Sequence, residues 1–165
     1  MNLSIYSVED LILTALKSEI EAQEAYSSLA AAVKNFVLKD RLNFLAGEEN
    51  KHEQFFHRLF LKYFPNKELV VPSDKSPVPL PEIIVDTESM PLSEILESAM
   101  NAETMAGNFY LGMVDRFEGQ PEVQKMLRFI ASMEMGHYKV LEMERNNAKA
   151  FEDYDSEWPL MHVGP

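Results

Sequence analysis

The sequence has 165 residues, a formal net charge of −12 and no cysteine. A chain of this length fits one domain with its own core, and its negative charge disfavours nucleic acid and anionic membrane surfaces as partners. The absence of cysteine excludes disulfides, thiolate nucleophiles and iron–sulfur clusters, so any metal must be bound by carboxylate and imidazole groups, which suit iron, manganese or zinc.

The apolar segments are too short for a membrane span. No run approaches the roughly 20 apolar residues that a spanning helix needs. Residues 1–7 contain neither the basic region nor the apolar stretch of a signal peptide. We therefore expect a cytoplasmic protein with no membrane and no nucleic acid as partner.

Two long helices are predicted in the first part of the chain. Ser7, three residues before Asp10, is typical of a capped helix start, and the apolar spacing that follows predicts a helix from Val8 to the mid-thirties. A second helix is predicted over 37–63 and ends before Pro65, because proline cannot continue a helix. Together the two helices predict a helical hairpin.

The middle of the sequence predicts a long connection and then a second hairpin. Six prolines in 65–91 preclude a long helix, so this segment is predicted to be a crossover of about 26 residues. A third helix is predicted over 92–117, with a break at Gly119, and a fourth over 121–150, which begins at a proline. Residues 151–165 form an acidic and aromatic tail that we expect to be irregular.

The two predicted hairpins resemble each other. A shift of 84 residues between the first and third helices, and of 85 between the second and fourth, superimposes chemically similar residues. The matched pairs include Ala15 with Ala99, Leu16 with Met100, Glu19 with Glu103, Ala22 with Ala106, Tyr26 with Tyr110, Leu42 with Leu127, Leu45 with Ile130, Glu49 with Glu134 and His52 with His137. Residues 1–150 are therefore predicted to form one all-α domain, a four-helix bundle of two similar hairpins joined by the crossover.

Two Glu-x-x-His quartets occupy equivalent places in the hairpins. Glu49 and His52 lie in the second helix, and Glu134 and His137 lie in the fourth. Because residues i and i+3 share a helix face, each pair presents a carboxylate and an imidazole on the same side. Apolar residues flank both pairs at helical spacing, so both pairs are predicted to face the core.

Helix phase adds one inward glutamate from each of the other two helices. Glu19 and Glu103 interrupt apolar stripes and are predicted to be buried, whereas Glu21 and Glu97 have polar neighbours and are predicted to be solvated. Four buried carboxylates repel one another, and each costs several kcal/mol to desolvate. Two divalent cations balance their four negative charges. The four inward glutamates and two histidines are therefore predicted to bind a pair of metal ions.

Other residues near these positions have plainer interpretations. Tyr26 and Tyr110 are predicted to be core residues whose hydroxyls hydrogen-bond near the carboxylates, with a redox role as the alternative. His57 is offset from His52 around the helix and is predicted to lie on the surface. His162 lies in the tail.

The sequence resembles the ferritin-like di-iron carboxylate superfamily and, within it, a rubrerythrin-like protein without the rubredoxin domain. The segments that carry the resemblance are 19–26, 48–52, 103–110 and 134–137, and it extends over about 8–150. It implies a ferritin-like four-helix bundle that binds two irons. The implied ligands are Glu49 and Glu134 as bridges, with Glu19, His52, Glu103 and His137 in terminal positions.

Two differences from full-length rubrerythrins concern the reaction. Those proteins carry four cysteines in a rubredoxin domain that delivers electrons, and a further glutamate one turn after the first ligand of the third helix. This sequence has no cysteine and has Ala106 at the position of that glutamate. The remaining six-residue set is equally similar to the ferroxidase centres of bacterioferritin-type proteins.

The expected function is that of a di-iron oxidoreductase of the ferroxidase or peroxidase type, with dioxygen or hydrogen peroxide as the oxidant. An external electron donor or fresh ferrous iron would reduce the centre again, and we expect a homodimer or higher homo-oligomer. The alternative is an iron-binding or storage protein without turnover, acting as an oligomer or as cargo of a partner shell onto which residues 158–165 dock. A metal-free structural bundle is the third interpretation.

Overall fold

Four helices form the fold in a computed structural model that describes residues 2–73 and 75–157. They are α1 (Val8–Ala32), α2 (Phe36–Tyr63), α3 (Leu92–Met113) and α4 (Pro121–Glu157). Helix α1 packs mainly on α2, and α3 packs mainly on α4. The described residues contain no strand. The prediction of an all-α bundle made of two hairpins is therefore confirmed.

Side chains fix the starts of the first two helices. The Ser7 hydroxyl accepts a hydrogen bond from the Asp10 amide at 3.0 Å, and the Asp10 carboxylate accepts one from the Ser7 amide at 3.0 Å. This is the capping box that the sequence indicated. The Asn35 side chain accepts hydrogen bonds from the amides of Val37 and Leu38, and only three residues separate the end of α1 at Ala32 from the start of α2. These caps make the first hairpin tight.

The third helix is shorter than the sequence predicts. Its α-helical part ends at Met113, and Val114–Phe117 continue as one tighter turn of 3-10 helix. Val114 and Phe117 are both buried, so this turn is drawn into the core. Gly119 then adopts a φ of 77°, a conformation that favours glycine, and it reverses the chain into α4.

The expectation of an irregular tail from residue 151 is wrong for its first seven residues. Helix α4 continues through Glu157, and residues 158–165, which include His162, lie outside the described part of the chain. The extension is tied to the second hairpin at Glu152, whose carboxylate accepts hydrogen bonds from the Ser93 amide at 3.0 Å and the Ser93 hydroxyl at 2.5 Å. Glu152 therefore also caps the beginning of α3.

The buried apolar residues divide into two clusters along the bundle. One cluster includes Leu11, Phe56 and Phe109, and the other includes Leu29 and Leu96. The polar residues in the middle of the helices lie between these clusters. Both ends of the bundle are thus packed, and this packing holds the central side chains in fixed positions.

The crossover, residues 64–91, runs along the bundle from the first hairpin to the second. Its backbone is held at two points: the Val78 amide donates to the Thr14 hydroxyl of α1 at 3.2 Å, and the Ile84 amide donates to the Ser98 hydroxyl of α3 at 3.2 Å. Val78 is itself buried. The crossover is therefore fastened to both α1 and α3.

Among the helices that the structure describes, we find none with the length and apolar character that crossing a membrane requires.

Candidate metal centre

The six residues predicted as metal ligands meet in the middle of the bundle, between the two apolar clusters. All six are at most 4% exposed. Each helix contributes to the set: Glu19 from α1, Glu49 and His52 from α2, Glu103 from α3, and Glu134 and His137 from α4. The two glutamates that were predicted to be solvated lie outside this set. Glu21 forms an ion pair with Lys17, and Glu97 forms one with Arg145.

The first half of the centre surrounds His52. Its Nδ1 atom lies 3.4 Å from Glu19 Oε2, 3.1 Å from Glu49 Oε2 and 3.2 Å from Glu134 Oε1. These four side chains place one donor atom each within 4.8 Å of one another. Three helices other than α3 thus supply one compact group of four donors.

The second half surrounds His137 in the same way. Its Nδ1 atom lies 3.6 Å from Glu103 Oε2, 2.9 Å from Glu49 Oε1 and 3.1 Å from Glu134 Oε2. The His52 and His137 rings are stacked, with their centroids 5.7 Å apart. The two groups of donors are therefore neighbours that repeat the similarity of the two hairpins.

Glu49 and Glu134 belong to both groups, because each has one carboxylate oxygen near His52 and the other near His137. Glu19 belongs only to the His52 group and Glu103 only to the His137 group. Two donors that bind one ion at about 2.1 Å and at right angles lie about 3.0 Å apart. The histidine–carboxylate separations of 2.9–3.6 Å are close to this value, so the donors of each group fit a bound metal ion.

Several donor atoms of the centre have no hydrogen-bond partner although they are fully buried. They are Glu49 Oε1, both oxygens of Glu134 and both ring nitrogens of His137. The 2.9 Å approach of His137 Nδ1 to Glu49 Oε1 brings the two atoms together without the angles of a hydrogen bond. Buried polar atoms are rarely left unpaired, so this convergence fits a bound cation.

Two tyrosines support the terminal glutamates across the bundle. The Tyr26 hydroxyl of α1 donates to Glu103 of α3, and the Tyr110 hydroxyl of α3 donates to Glu19 of α1. Burial, and next the nearby carboxylate charge, raise the pKa of both phenols well above the usual value. Both tyrosines therefore remain protonated donors that orient the glutamates.

The metal-free centre has strongly shifted pKa values. Burial raises the pKa of Glu19 and Glu103, and repulsion from the other carboxylates adds to the shift. Burial alone would raise the pKa of Glu49 too, but the two histidines outweigh it and lower this pKa to about 2. For His52, burial is outweighed by the surrounding carboxylates, which raise its pKa to about 12. The same balance raises the pKa of His137.

A cavity of about 320 Å³ extends from the carboxylates toward the crossover. Ala22 of α1 and Ala106 of α3 form part of its walls, and residues 75–83 of the crossover, which we call the roof segment, include the residues that cover it. The sequence did not indicate this cavity. The alternating prolines at 77, 79 and 81 are a local signal of an extended cover, but they do not reveal what the segment lies against.

The comparisons with known proteins agree with this geometry. A family model described as Rubrerythrin matches residues 10–145. The chain is also similar to the solved structure of a hypothetical protein from Pyrococcus furiosus, with 34% sequence identity and a TM-score of 0.80 over 91% of this chain and 95% of the other. No curated protein matches the chain.

Proposed function

The chain belongs to the rubrerythrin family, and on that premise we propose that it is a di-iron oxidoreductase that reduces dioxygen or hydrogen peroxide. The observation that carries the proposal is the pair of four-donor groups that share Glu49 and Glu134. Such a set of carboxylates and imidazoles is typical of di-metal centres in four-helix bundles. Manganese and zinc suit the same donors, but only a redox-active metal supports this reaction.

Charge favours two ions over one. Four ionised carboxylates in a buried site carry four negative charges, and two divalent ions neutralise them completely. When all six side chains are deprotonated, a single ion would leave two negative charges in the core, where an uncompensated charge costs several kcal/mol. The proposal of two ions per chain therefore rests on the charge balance together with the two sets of donors.

The side chains have distinct roles in this proposal. Glu49 and Glu134 hold the two ions side by side, and each histidine and each terminal glutamate completes one half. Bound ferrous iron supplies the electrons, one from each ion, that the oxidant takes up. Tyr26 and Tyr110 keep the two terminal glutamates in place, and their raised pKa values keep both phenols protonated as hydrogen-bond donors.

We propose that the electrons for repeated turnover come from a separate donor. The 165 residues contain no cysteine, so they cannot hold a cysteine-bound iron centre that would deliver electrons within the same chain. Fresh ferrous iron is the other source, in which case the protein acts as a ferroxidase. We also propose that the protein acts in the cytoplasm as a homodimer or higher homo-oligomer.

A ferrous titration tests the function. We expect two ferrous ions to bind per chain without oxygen, and peroxide or oxygen then to produce the near-ultraviolet absorbance of a bridged diferric centre. Glu49→Ala should abolish both signals. The matched control is Glu97→Ala, because Glu97 is an exposed glutamate whose carboxylate pairs with Arg145 on the surface. Equal spectra from wild type and Glu49→Ala would refute the proposal.

The iron count separates this function from storage. An oxidoreductase keeps two irons bound per chain: with an added donor the centre is reduced again, and as a ferroxidase it oxidises further ferrous iron and releases the ferric product. A storage protein continues to take up iron beyond two per chain and needs no donor. Uptake of many irons per chain, without repeated reduction and oxidation of the centre, would favour storage.

A further inference from the structure

The cavity beside the metal centre is larger than the proposed oxidants need. Its volume is about 320 Å³, and its lining includes Glu19, Glu49, Glu103 and Glu134. Because a water molecule occupies about 30 Å³ in the liquid, the whole space, including the part between the carboxylates, holds about ten groups of that size. Dioxygen and peroxide are much smaller. Their access to the centre alone does not account for a chamber of these dimensions.

Two alanines in equivalent positions create the space. Ala22 follows Glu19 by one helical turn on α1, and Ala106 follows Glu103 by one turn on α3. Both line the cavity. Each helix thus presents a methyl group where a longer side chain would reach toward the roof.

The roof continues the apolar lining. Pro79, Leu80, Pro81 and Ile83 face the cavity from the crossover. Proline fixes its own φ, so this cover is stiff. The hydrogen bonds from the Val78 and Ile84 amides to α1 and α3 fasten the segment on either side of the cover. The chamber is therefore built in advance, as most small-molecule sites are.

Polar groups also line the cavity, among them Ser18, Ser76 and Tyr110. The floor holds the unpaired oxygens of Glu134, a side chain only 1% exposed. Glu21, Glu82 and Lys75 also line the cavity, and Glu21 is neutralised by its pair with Lys17. An anion in this chamber would face six glutamates and only one lysine of the lining. An uncharged molecule meets no such penalty.

From these features we propose that the chamber binds an uncharged, largely apolar organic molecule of fewer than about ten non-hydrogen atoms, held next to the metal pair under the roof segment. The inference deepens the proposed function, on which it rests for the metals at the floor. It assigns the site a second ligand besides the oxidant. The binding itself depends only on the walls, the roof and the volume.

The test uses the zinc-loaded full chain and the probe 4-fluorobenzyl alcohol, observed by fluorine NMR. We expect saturable binding with a dissociation constant of about 1 mM or below. In the manganese-loaded chain the bound fluorine signal should broaden strongly, because the chamber adjoins the metals. The anionic probe 4-fluorobenzenesulfonate should bind at least about tenfold more weakly, since it would carry a negative charge toward the glutamates of the lining.

Filling the chamber from either wall should remove the binding. Ala22→Leu and Ala106→Leu each place three more carbons in the cavity and should weaken binding of the probe at least about tenfold. Either variant is sufficient for the test if the other fails to fold. The control is Ala31→Leu, the same substitution on the exposed face of α1. Circular dichroism and zinc content are measured for each variant, so that lost binding is not mistaken for lost structure.

The outcomes separate this inference from the proposed function. If wild type oxidises ferrous iron but shows no saturable binding, or if folded leucine variants bind the probe as well as Ala31→Leu does, the chamber proposal is overturned and the function stands. If the sulfonate binds more tightly than the alcohol, the assignment of an uncharged ligand is overturned. If the chain binds no metal pair, the same titration on metal-free protein still decides whether the chamber binds the alcohol.

Discussion

Loading the centre with metal should release protons, and the number follows from its geometry. A metal ion binds only deprotonated carboxylate and imidazole. In the metal-free chain, the carboxylates that surround His52 outweigh its burial and raise its pKa to about 12, and the pKa of His137 is raised as well. Burial raises the pKa of Glu19 and Glu103. These four groups therefore compete with the metals by holding protons.

The histidines alone set a lower limit on the release. At pH 7 a group with a pKa of about 12 is fully protonated, so His52 loses one proton on binding metal, and His137 loses another. The two glutamates add up to two more. Each released proton changes the binding constant about tenfold per pH unit. Raising the pH by one unit should thus strengthen binding of the pair by about a hundredfold or more.

Raising the pH should strengthen metal binding but destabilise the metal-free chain. A histidine whose pKa is raised by folding stabilises the fold fully below its unfolded pKa of about 6.5, and this stabilisation is lost as the pH rises toward the folded value of about 12. Without metal, the free energy of unfolding should therefore fall as the pH is raised above about 6.5. With metal bound, the ligands are deprotonated in both the folded and the unfolded chain above about pH 6.5, so the free energy of unfolding should no longer fall as the pH rises.

Calorimetric titration with zinc, in two buffers of different ionisation enthalpy at pH 7, counts the protons directly. Two to four protons per pair of ions are expected, and Glu19→Gln should release fewer than wild type. Glu97→Gln, on the exposed face of α3, should match wild type. A release below one proton per pair, or an affinity that does not change with pH, would refute the assignment of these side chains as ligands.

Three further predictions concern stability. Tyr110→Phe removes the donor to Glu19 and should cost about 1–3 kcal/mol in urea unfolding while two metal ions still bind; loss of both metals would contradict an orienting role. Gly136→Ala should stabilise by about 1 kcal/mol, since the new methyl meets nothing within 4 Å, whereas Gly107→Ala brings it 3.4 Å from Glu134 and should gain less; equal gains would mean that the contact is harmless. Chelation should lower the melting temperature, because binding at a hundred times the dissociation constant contributes about 2.7 kcal/mol per ion, and an unchanged melting curve would indicate a metal-free bundle.

The helix boundaries that the sequence predicted well are those set by local chemistry. Pro65 ends the second helix and Pro121 begins the fourth because proline constrains its own neighbourhood. The boundaries that it predicted poorly depend on distant contacts. Val114 lies in a 3-10 turn because it is drawn into the core, and the helix continues past residue 150 where Glu152 meets Ser93 of another helix. No pattern within the local sequence contains that information.

The donor set was predictable because it depends on helix phase. Glu19 and Glu103 interrupt apolar stripes, and the structure buries both of them. Which histidine adjoins which glutamate could not be predicted, since it depends on how the hairpins approach each other. The structure pairs Glu19 with His52 and Glu103 with His137. Hydrogen bonds from the two tyrosines to carboxylates were expected, but the sequence did not indicate that each bond joins α1 to α3.

The site combines a duplicated part with a part that occurs once. The repeat duplicates the donors, the tyrosines and the two wall alanines, so these features come in related pairs. The crossover joins the hairpins and has no counterpart in the repeat, so the roof segment breaks the symmetry on one side of the metals. Changes in the roof can therefore alter what enters the chamber without disturbing a ligand. We therefore expect substitutions in residues 75–83 to change which molecule the chamber accepts, whereas substitutions of the donors on the paired helices should change metal binding.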